Sequence, residues 1–315
     1  MIRGRDDSSL SILLGIHGGF AQEAKKLMDG EWRHGTWATY AKFPLESLIP
    51  LPEPRLCKEL GYQIKELTTI GMLAVLYGGL AEIGVGAGET LIVAPATGFY
   101  GAAAVGVALA LGCTAVAAGR NMGQLRKLEE IFGGTQRFKT FVLMGDVGID
   151  TESLKKSWGL GRGADAYIDF SPPAAAGSTH ITSCLGALRQ GGKAVLMGGI
   201  LGNIELPYSM IMFRGLRIQG QFMFERRHVE RLVRLVDSSA LKLGREIGMV
   251  SFKEFELEEC GQVCGGRESV GQSSTFMSLK CNALSLPNSY YGPSFQGTDL
   301  KNLLMLNEWS SINIV

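Results

Sequence analysis

The chain has 315 residues, a formal net charge of +1, and 46% hydrophobic and 19% charged residues. This composition is typical of a globular protein with a substantial core, and the length allows one large or two modest domains. Because Lys and Arg are scattered and balanced by Asp and Glu, we expect neither a nucleic acid nor a membrane surface as a partner.

The N-terminal segment, residues 1–55, contains the Trp- and Pro-containing stretch GEWRHGTWATYAKFPLESLIPLPE and is predicted to be rich in β-structure. It is short for a domain that stands by itself. Asp6 and Asp7 precede its short apolar run, so we expect no secretory signal. The six Cys of the chain do not indicate a disulfide framework, which favours a reducing compartment, and we predict a cytoplasmic protein.

From about residue 90, short β-type runs alternate with helical stretches. The predicted strands are rich in β-branched and aromatic residues and end at Gly, Asp or Pro; they are 91–94, 114–118, 138–144, 165–170, 193–198 and 216–222. A parallel sheet with helices on both faces accounts for this alternation. We therefore predict an α/β fold with a doubly wound parallel sheet over residues 56–250.

The predicted helices have recognisable N-terminal signals. Asn121 followed by Gln124 resembles a capping box. Ser171 stands before two prolines and is predicted to cap a helix through residues 174–188. Residues 225–241 carry apolar side chains at helical spacing, with the charges on the opposite face.

The last segment, residues 251–315, lacks this alternation. It is rich in Ser, Gly and Asn and has no periodicity, so we predict an irregular C-terminal tail. Within it, the stretch LKNLLMLNEW (300–309) is predicted to form a short helix.

The stretch from Thr90 to Gly119 lacks charged side chains and is long enough to cross a bilayer. Its composition favours another structure, because LIVA is a β-type run, Pro95 interrupts any continuous helix, and the small residues that follow suit a helix packed on a sheet. We predict a strand, a turn and a helix here, and no membrane span.

The turn in this stretch has the spacing Ala96-x-Gly98-x-x-Gly101, which is the dinucleotide-binding G-x-G-x-x-G pattern with Ala at the first position. Gly98 would let the backbone approach a pyrophosphate, and Gly101 would let the helix lie close to the strand. An ordinary strand–turn–helix is the alternative, but the position between a predicted strand and a predicted helix favours nucleotide binding. The predicted cofactor-binding residues of the turn are Ala96, Thr97, Gly98, Tyr100 and Gly101.

The second predicted strand ends at Gly119, Arg120 and Asn121, which we also expect to contact the cofactor. An NAD-binding protein usually has an acidic residue here for the ribose hydroxyls. Without that carboxylate a 2′-phosphate is not repelled, and Arg120 could pair with it. A surface arginine at a strand end is the alternative. We predict NADP as the preferred cofactor, with NAD as the second choice.

Together with GEWRHGTWATYAKFPLESLIPLPE and this turn, the segments GADAYIDFSPP, GGKAVLMGG and GQFMFERR resemble, in this order, fungal-type alcohol dehydrogenases of the medium-chain dehydrogenase/reductase superfamily. The resemblance covers roughly residues 25–245. It implies a Rossmann domain, a GroES-like catalytic domain and hydride transfer between NAD(P)H and an alcohol, a ketone or an activated alkene. By position it implies that Phe170 borders the adenosine ribose and that Met197, Gly198 and Gly199 border the nicotinamide.

The front of the chain departs from the zinc-dependent members of that family. In those members most of the GroES-like domain precedes a GTWAEY-like segment, whereas about thirty residues precede it here, so residues 1–55 are predicted to be a partial GroES-like domain. The position of a later cysteine ligand falls near Gly71, and glycine has no side chain to bind zinc. We expect no zinc and no other metal site in this chain.

The sequence leaves the catalytic residues unknown. Tyr77 and Tyr100 are candidates for a proton donor, with aromatic packing as the alternative for each, and the dispersed histidines, including His180, are expected to be structural. We predict an NADP-preferring, alcohol dehydrogenase-like oxidoreductase acting on a small molecule. Two alternatives stay open, namely a catalytically silent NADPH-binding module and a zinc-free quinone or enoyl reductase. The resemblance also implies that the chain could form a homodimer through a sheet edge.

Overall fold

The computed structural model describes residues 21–32, 48–157, 161–247, 251–255, 275–279 and 303–306. These residues divide into two units, one drawn from Met1–Gly71 with Ser251–Val315 and the other from Met72–Val250. The predicted domains 1–55, 56–250 and 251–315 stay a prediction. The GTWATY segment, residues 35–40, lies outside the described residues.

The regular elements alternate along the chain as the sequence predicts. The strands are β1 (Ile49–Pro52), β2 (Thr90–Ala94), β3 (Thr114–Gly119), β4 (Phe138–Val142), β5 (Ala164–Asp169), β6 (Leu188–Leu196), β7 (Arg217–Gly220), β8 (Ser251–Phe255), β9 (Thr275–Leu279) and β10 (Leu303–Leu306). The α-helices are α1 (Gln22–Leu27), α2 (Ile64–Leu67), α3 (Thr69–Glu82), α4 (Phe99–Ala110), α5 (Met122–Phe132), α6 (Val147–Lys156), α7 (His180–Gly186), α8 (Tyr208–Arg214) and α9 (Arg226–Asp237).

The second unit is built on a six-stranded parallel sheet with the order β4-β3-β2-β5-β6-β7. Counted from β2 as the first strand, this is the order 3-2-1-4-5-6 of doubly wound dinucleotide-binding sheets. All six predicted strands are confirmed. The largest difference in their bounds is at β6, which begins at Leu188 rather than at residue 193.

Both faces of this sheet are covered, which explains the unbroken apolar runs of its strands. Leu91 and Ile92 are fully buried although successive side chains of a strand point to opposite faces. Ile92 shares a core cluster with Ile181 and Leu185 of α7. Leu91 faces the other side, where α4 packs against β2 and β3.

The two predicted helix caps have different outcomes. The Asn121 side-chain oxygen accepts a hydrogen bond from the Gln124 N–H at 3.1 Å and caps α5, as predicted. The prediction for Ser171 is wrong, because its hydroxyl bonds other side chains and the expected helix is divided into a 3-10 turn (Pro173–Ala175) and α7. Gly177 lies between these two pieces with a φ of +81°, a left-handed conformation that ends a right-handed helix.

The described parts of the last segment are extended. Strand β8 pairs in parallel with β9, and β10 pairs antiparallel with β1. The predicted short helix over 300–309 is therefore wrong for Leu303–Leu306. A run of four apolar residues suits a strand as well as a helix, and pairing with Ile49–Pro52 selects the strand.

The uncharged stretch 90–119 forms β2, a turn, α4 and β3, so the predicted strand–turn–helix is confirmed. A different helical stretch, Ile64–Glu82, is long and apolar enough to cross a membrane by length and composition. Of its most apolar window, 72% is buried inside the fold, which is the pattern of a core helix.

Candidate functional site

The candidate site lies at the carboxyl edge of the six-stranded sheet, where β2 and β5 end side by side. Ala94 is the last residue of β2 and pairs with Asp169, the last residue of β5. The chain continues from β2 to β3 on one side, whereas β5 lies on the other side, so the loops after the two strands diverge. Open α/β sheets bind ligands in the crevice that such a switch point leaves.

The turn between β2 and α4 offers different space at its two glycines. A Cβ atom on Gly101 would lie 2.6 Å from Ala96 Cα and closer still to the Pro95 carbonyl oxygen, so a larger residue does not fit. A Cβ atom on Gly98 would meet no atom within 4 Å. The fold therefore requires glycine at 101 but not at 98, where the free space suits the close approach of a ligand phosphate.

Helix α4 presents its N-terminus to this space. It begins at Phe99 with Gly98 as its N-cap, without a side-chain cap and without an acidic residue in its first turn. The first N–H groups of a helix lack intrahelical acceptors, and the helix dipole places positive potential beside them. A twelve-residue helix that starts in this way favours an anion at its N-terminus.

The residues after β3 lie beside the same turn. A Cβ atom on Gly119 would lie 2.6 Å from Thr97 Cγ2, so glycine allows the two loops to meet closely. Arg120 is exposed, and no described residue pairs with its guanidinium. The Asn121 side chain is already engaged as the cap of α5. Among the described residues, Arg120 is thus a cation without an ion-pair partner close to the start of α4.

The residues after β5 form the opposite side of the crevice. The Phe170 ring stacks on the Tyr100 ring with centroids 6.2 Å apart and an angle of 21° between their planes. The resemblance implied that Phe170 borders the adenosine ribose, but the sheet order places it on the far side of β2 from Arg120. Phe170 and Arg120 therefore belong to different halves of the crevice.

The loop after β6 lies directly over the end of β5. Met197 N–H donates to the Asp169 carbonyl at 3.1 Å, and Gly199 N–H donates to the Ser171 carbonyl at 2.7 Å. A Cβ atom on Gly198 would lie 2.5 Å from Asp169 Oδ2 and 2.8 Å from Ser171 N. Glycine at 198 therefore lets this loop cover the Asp169 carboxylate.

The two candidate proton donors have different surroundings. Tyr77 lies in α3, is 8% exposed, and packs edge-on against His228 with ring centroids 6.4 Å apart. Tyr100 lies in the first turn of α4, next to the open space at Gly98. Both stay predictions as proton donors, and Tyr100 is the one beside the turn.

A buried polar network at the end of β5 was not predicted from the sequence. Asp169 Oδ1 lies 3.0 Å from the Tyr167 hydroxyl and 2.5 Å from Ser171 Oγ. His180 Nε2 lies 2.7 Å from Ser171 Oγ, and His180 Nδ1 lies 2.8 Å from Ser178 Oγ. No local spacing signals this network, because α7 folds back to bring His180 over the end of the strand.

The side chains around this network stay protonated at neutral pH. Burial raises the pKa of Tyr167 well above its usual value, and the negative charge of Asp169 acts in the same direction. Burial likewise raises the pKa of Cys184, with a further contribution from Asp169. The Cys184 thiol is therefore a packing group rather than a nucleophile.

Metal-binding side chains are not gathered in the part of the chain that the structure describes. Within it, no group of three or more His, Cys, Asp or Glu side chains is placed to hold a metal ion. Gly71, at the position of a cysteine ligand in the zinc-dependent relatives, lies within α3.

Comparison with known proteins relates part of this unit to a family model. Residues 101–238 match the family described as zinc-binding dehydrogenase. Comparison with curated proteins gave no match. Three solved structures resemble the fold: an alcohol dehydrogenase from Thermus sp. ATN1 (TM-score 0.55, 16% identity, 69% of this chain and 59% of that one), an NAD-dependent alcohol dehydrogenase (0.54, 21%, 77% and 67%), and a crotonyl-CoA carboxylase/reductase variant in complex with NADP (0.50, 16%, 61% and 50%).

This chain spans about half to two thirds of the length of the structures it matches. Identities of 16–21% indicate a shared fold, and the sheet order and the glycine turn agree with it. Residues 101–238 thus match the zinc-binding dehydrogenase family model, and the fold resembles those of two alcohol dehydrogenases and a crotonyl-CoA carboxylase/reductase.

Proposed function

We propose that the chain is an NADP-preferring oxidoreductase that transfers a hydride between the nicotinamide cofactor and an alcohol or carbonyl substrate. The observation that carries the proposal is the combination of an uncapped helix N-terminus at Gly98 with the unpaired Arg120 beside it. A dinucleotide with a 2′-phosphate presents two separate anionic groups, and this edge of the sheet offers a partner for each.

The cofactor supplies the hydride chemistry, and the residues of the chain bind and orient it. We expect the N–H groups at the start of α4 to hold the pyrophosphate. Gly119 and Arg120 are expected to meet the adenosine ribose and its phosphate. Gly198 and Gly199, which have no side chains to obstruct the approach, are expected to border the nicotinamide.

The cofactor preference is tested by calorimetry with NADPH and NADH. Arg120→Ala is expected to weaken NADPH binding about 10- to 100-fold, because it removes a charge-assisted hydrogen-bonding partner, and to leave NADH binding within about twofold. Arg126→Ala is the matched control, since Arg126 is an exposed arginine of α5 and its loss removes the same charge. Equal losses for the two cofactors would contradict the proposed role of Arg120.

The reaction is tested by turnover of NADPH with aldehydes and ketones, and of NADP+ with alcohols. A second candidate, reduction of an activated alkene, is favoured by the fold similarity to a crotonyl-CoA carboxylase/reductase in complex with NADP. Turnover with enoyl thioesters or quinones but not with carbonyl compounds would select this second candidate. Binding of NADPH without turnover of any substrate class would select a catalytically silent NADPH-binding module.

We also propose that two chains associate through β7. This strand is at the edge of the sheet, and the neighbouring α8 exposes Tyr208, Met212 and Phe213 by 80%, 53% and 76%. An edge strand beside an apolar surface suits pairing with a second copy about a twofold axis. Light scattering should find a dimer that Phe213→Asp converts to monomer, whereas Ile149→Asp, at an exposed position of α6, leaves it intact.

We propose a cytoplasmic location, which is supported by the free thiols of Cys113 and Cys184 in the core. No nucleic acid or membrane partner belongs to the proposal. Appearance of a fluorescent fusion in a secretory compartment would contradict it.

A further inference from the structure

The Asp169 carboxylate occupies an unusual place for a buried charge. Its side chain is 4% exposed, it ends β5 at the switch point of the sheet, and Gly198 lies over its Oδ2 atom. A buried carboxylate usually has a cationic partner. Of the ionisable side chains that the structure describes, only His180 forms an ion-pair contact with it, at 3.4 Å.

The hydrogen bonds around Asp169 determine where the protons are. A carboxylate only accepts, so the hydroxyls of Tyr167 and Ser171 both donate to Oδ1. The single Ser171 proton is then used, and His180 Nε2 must carry a hydrogen in order to bond Ser171 Oγ. Ser178 Oγ lies 2.8 Å from His180 Nδ1, and donation of the serine proton to Nδ1 is the arrangement with a neutral imidazole.

With the imidazole neutral, the network keeps the negative charge on Asp169 and holds it with neutral donors. Two hydroxyls lie on Oδ1, whereas the described residues provide no hydrogen bond to Oδ2. Oδ2 is the atom that faces Gly198 and the loop 197–199. This loop is the one expected to border the nicotinamide. A fixed negative charge thus lies beneath the nicotinamide half of the crevice.

We propose that Asp169 favours the oxidised over the reduced nicotinamide cofactor. The nicotinamide ring is positively charged when it is oxidised and neutral when it is reduced, so a buried negative charge stabilises the two forms unequally. A bound NADPH then becomes a stronger hydride donor, and the equilibrium on the protein moves toward carbonyl reduction. The inference rests on the proposed function, since it requires that the chain binds a nicotinamide cofactor.

The test is the ratio of the dissociation constants for NADP+ and NADPH, measured by calorimetry. Asp169→Asn keeps the size of the side chain and removes its charge, and we expect the ratio to rise about 5- to 10-fold through weaker NADP+ binding. Asp165→Asn is the matched control, because Asp165 lies on the same strand, about 13 Å from Asp169, and pairs with Arg189 at the opposite edge. Its ratio should stay within about twofold of the wild-type ratio.

Tyr167→Phe is a second variant that keeps the charge and the packing but removes one of the two hydroxyl donors. The less-shielded carboxylate should lower the ratio about twofold, which is opposite to the change in Asp169→Asn. If Asp169→Asn does not fold, Tyr167→Phe alone tests the inference. An unchanged or raised ratio of the NADP+ and NADPH dissociation constants in Tyr167→Phe then overturns the inference.

The two proposals fail in different ways. A wild-type chain that binds neither NADP+ nor NADPH overturns the proposed function. A wild-type chain that binds both, together with an Asp169→Asn ratio equal to that of the wild type, overturns only the role of Asp169. That second result would mean that His180 is positively charged and neutralises the carboxylate.

Discussion

The two edges of the six-stranded sheet use their polar groups in different ways. At the amino edge, charges are paired: Asp165 lies 2.5 Å from Arg189, and Glu89 lies 2.8 Å from Lys193. At the carboxyl edge, Arg120 has no partner among the described residues, and the Asp169 carboxylate is held by hydroxyls. Charged side chains at the amino edge therefore form ion pairs, whereas Arg120 and Asp169 at the carboxyl edge are not paired with each other or with a Lys, Arg, Asp or Glu among the described residues.

Further polar groups at the amino edge are also engaged. At the amino edge, the Lys193 ammonium also bonds the Gly84 carbonyl at 2.7 Å, and the buried Cys113 thiol donates to the Gly86 carbonyl. Free space by itself does not separate the two edges, because a Cβ atom would meet nothing within 4 Å on Gly98 or on Gly84 and Gly86. Charged groups that do not serve stability are expected where a protein binds its ligand, so the difference in charge pairing favours the carboxyl edge as the functional one.

The sharpest way to separate stability from binding is within the glycine turn itself. Gly101→Ala should lower the free energy of unfolding by about 3 kcal/mol, because the new methyl group meets the backbone at Pro95 and Ala96. Gly98→Ala should unfold like the wild type within about 0.5 kcal/mol and yet bind NADPH at least about tenfold more weakly. Urea unfolding and calorimetry provide the two measurements.

The opposite result would remove the distinction between the two glycines. If Gly98→Ala kept full NADPH affinity, the space before α4 would not be where the pyrophosphate binds. If Gly101→Ala were as stable as the wild type, the close contact between α4 and the end of β2 would not be a constraint on the fold.

A substitution at the amino edge should lower stability and leave NADPH affinity unchanged. Lys193→Met keeps the aliphatic stem but removes the ammonium from Glu89 and from the Gly84 carbonyl, which should lower the unfolding free energy by about 2 kcal/mol. Its NADPH affinity should not change. Arg120→Met is the comparison at the carboxyl edge, where we expect less than about 0.5 kcal/mol of destabilisation and a loss of NADPH affinity. A loss of NADPH affinity in Lys193→Met would break the contrast.

The sequence was sufficient for the sheet and for the glycine turn, because both depend on local signals. Apolar runs that end at Gly or Pro locate the strands, and the spacing of Gly98 and Gly101 locates the turn. It could not reveal the network at Asp169, whose partner His180 is eleven positions away and is returned to the strand end by a turn at Gly177. Pairing of β10 with β1 was equally hidden, because about 250 residues separate the partners.

His228 is a buried polar residue whose imidazole is only partly hydrogen-bonded. The Glu225 N–H donates to its Nδ1 at 3.0 Å, so Nε2 carries the hydrogen, and Nε2 lies 2.9 Å from Glu82 without hydrogen-bond geometry. Burial and then the charge of Arg227 lower the pKa of His228, against the opposing effect of the two carboxylates.

This shift predicts a dependence of stability on pH. Because the pKa is lower in the folded state, the unfolded chain binds the proton first as the pH falls. The contribution of the neutral His228 to the free energy of unfolding should be complete above about pH 6.5. Below that pH it should decline by up to about 1.4 kcal/mol per pH unit, until the pH reaches the folded-state pKa. Urea unfolding between pH 5 and pH 8 measures it. His228→Gln should be flatter across this range, and an equal slope in both proteins would assign the effect to another group.

The smallest expected effect is at Asn121, where substitutions separate capping of α5 from contact between the side chain and the cofactor. Its side chain caps α5, so Asn121→Ala should lower the unfolding free energy by about 1 kcal/mol, whereas Asn121→Ser retains a capping oxygen and should stay within about 0.3 kcal/mol. Because Oδ1 is engaged in the cap, we expect the cofactor to meet the backbone at 121 rather than the side chain, and Asn121→Ser should bind NADPH within about twofold of the wild type. A stable Asn121→Ser with much weaker binding would instead mean that the side chain leaves the helix to meet the cofactor. Asn121 would then resemble Arg120 rather than the paired groups of the amino edge.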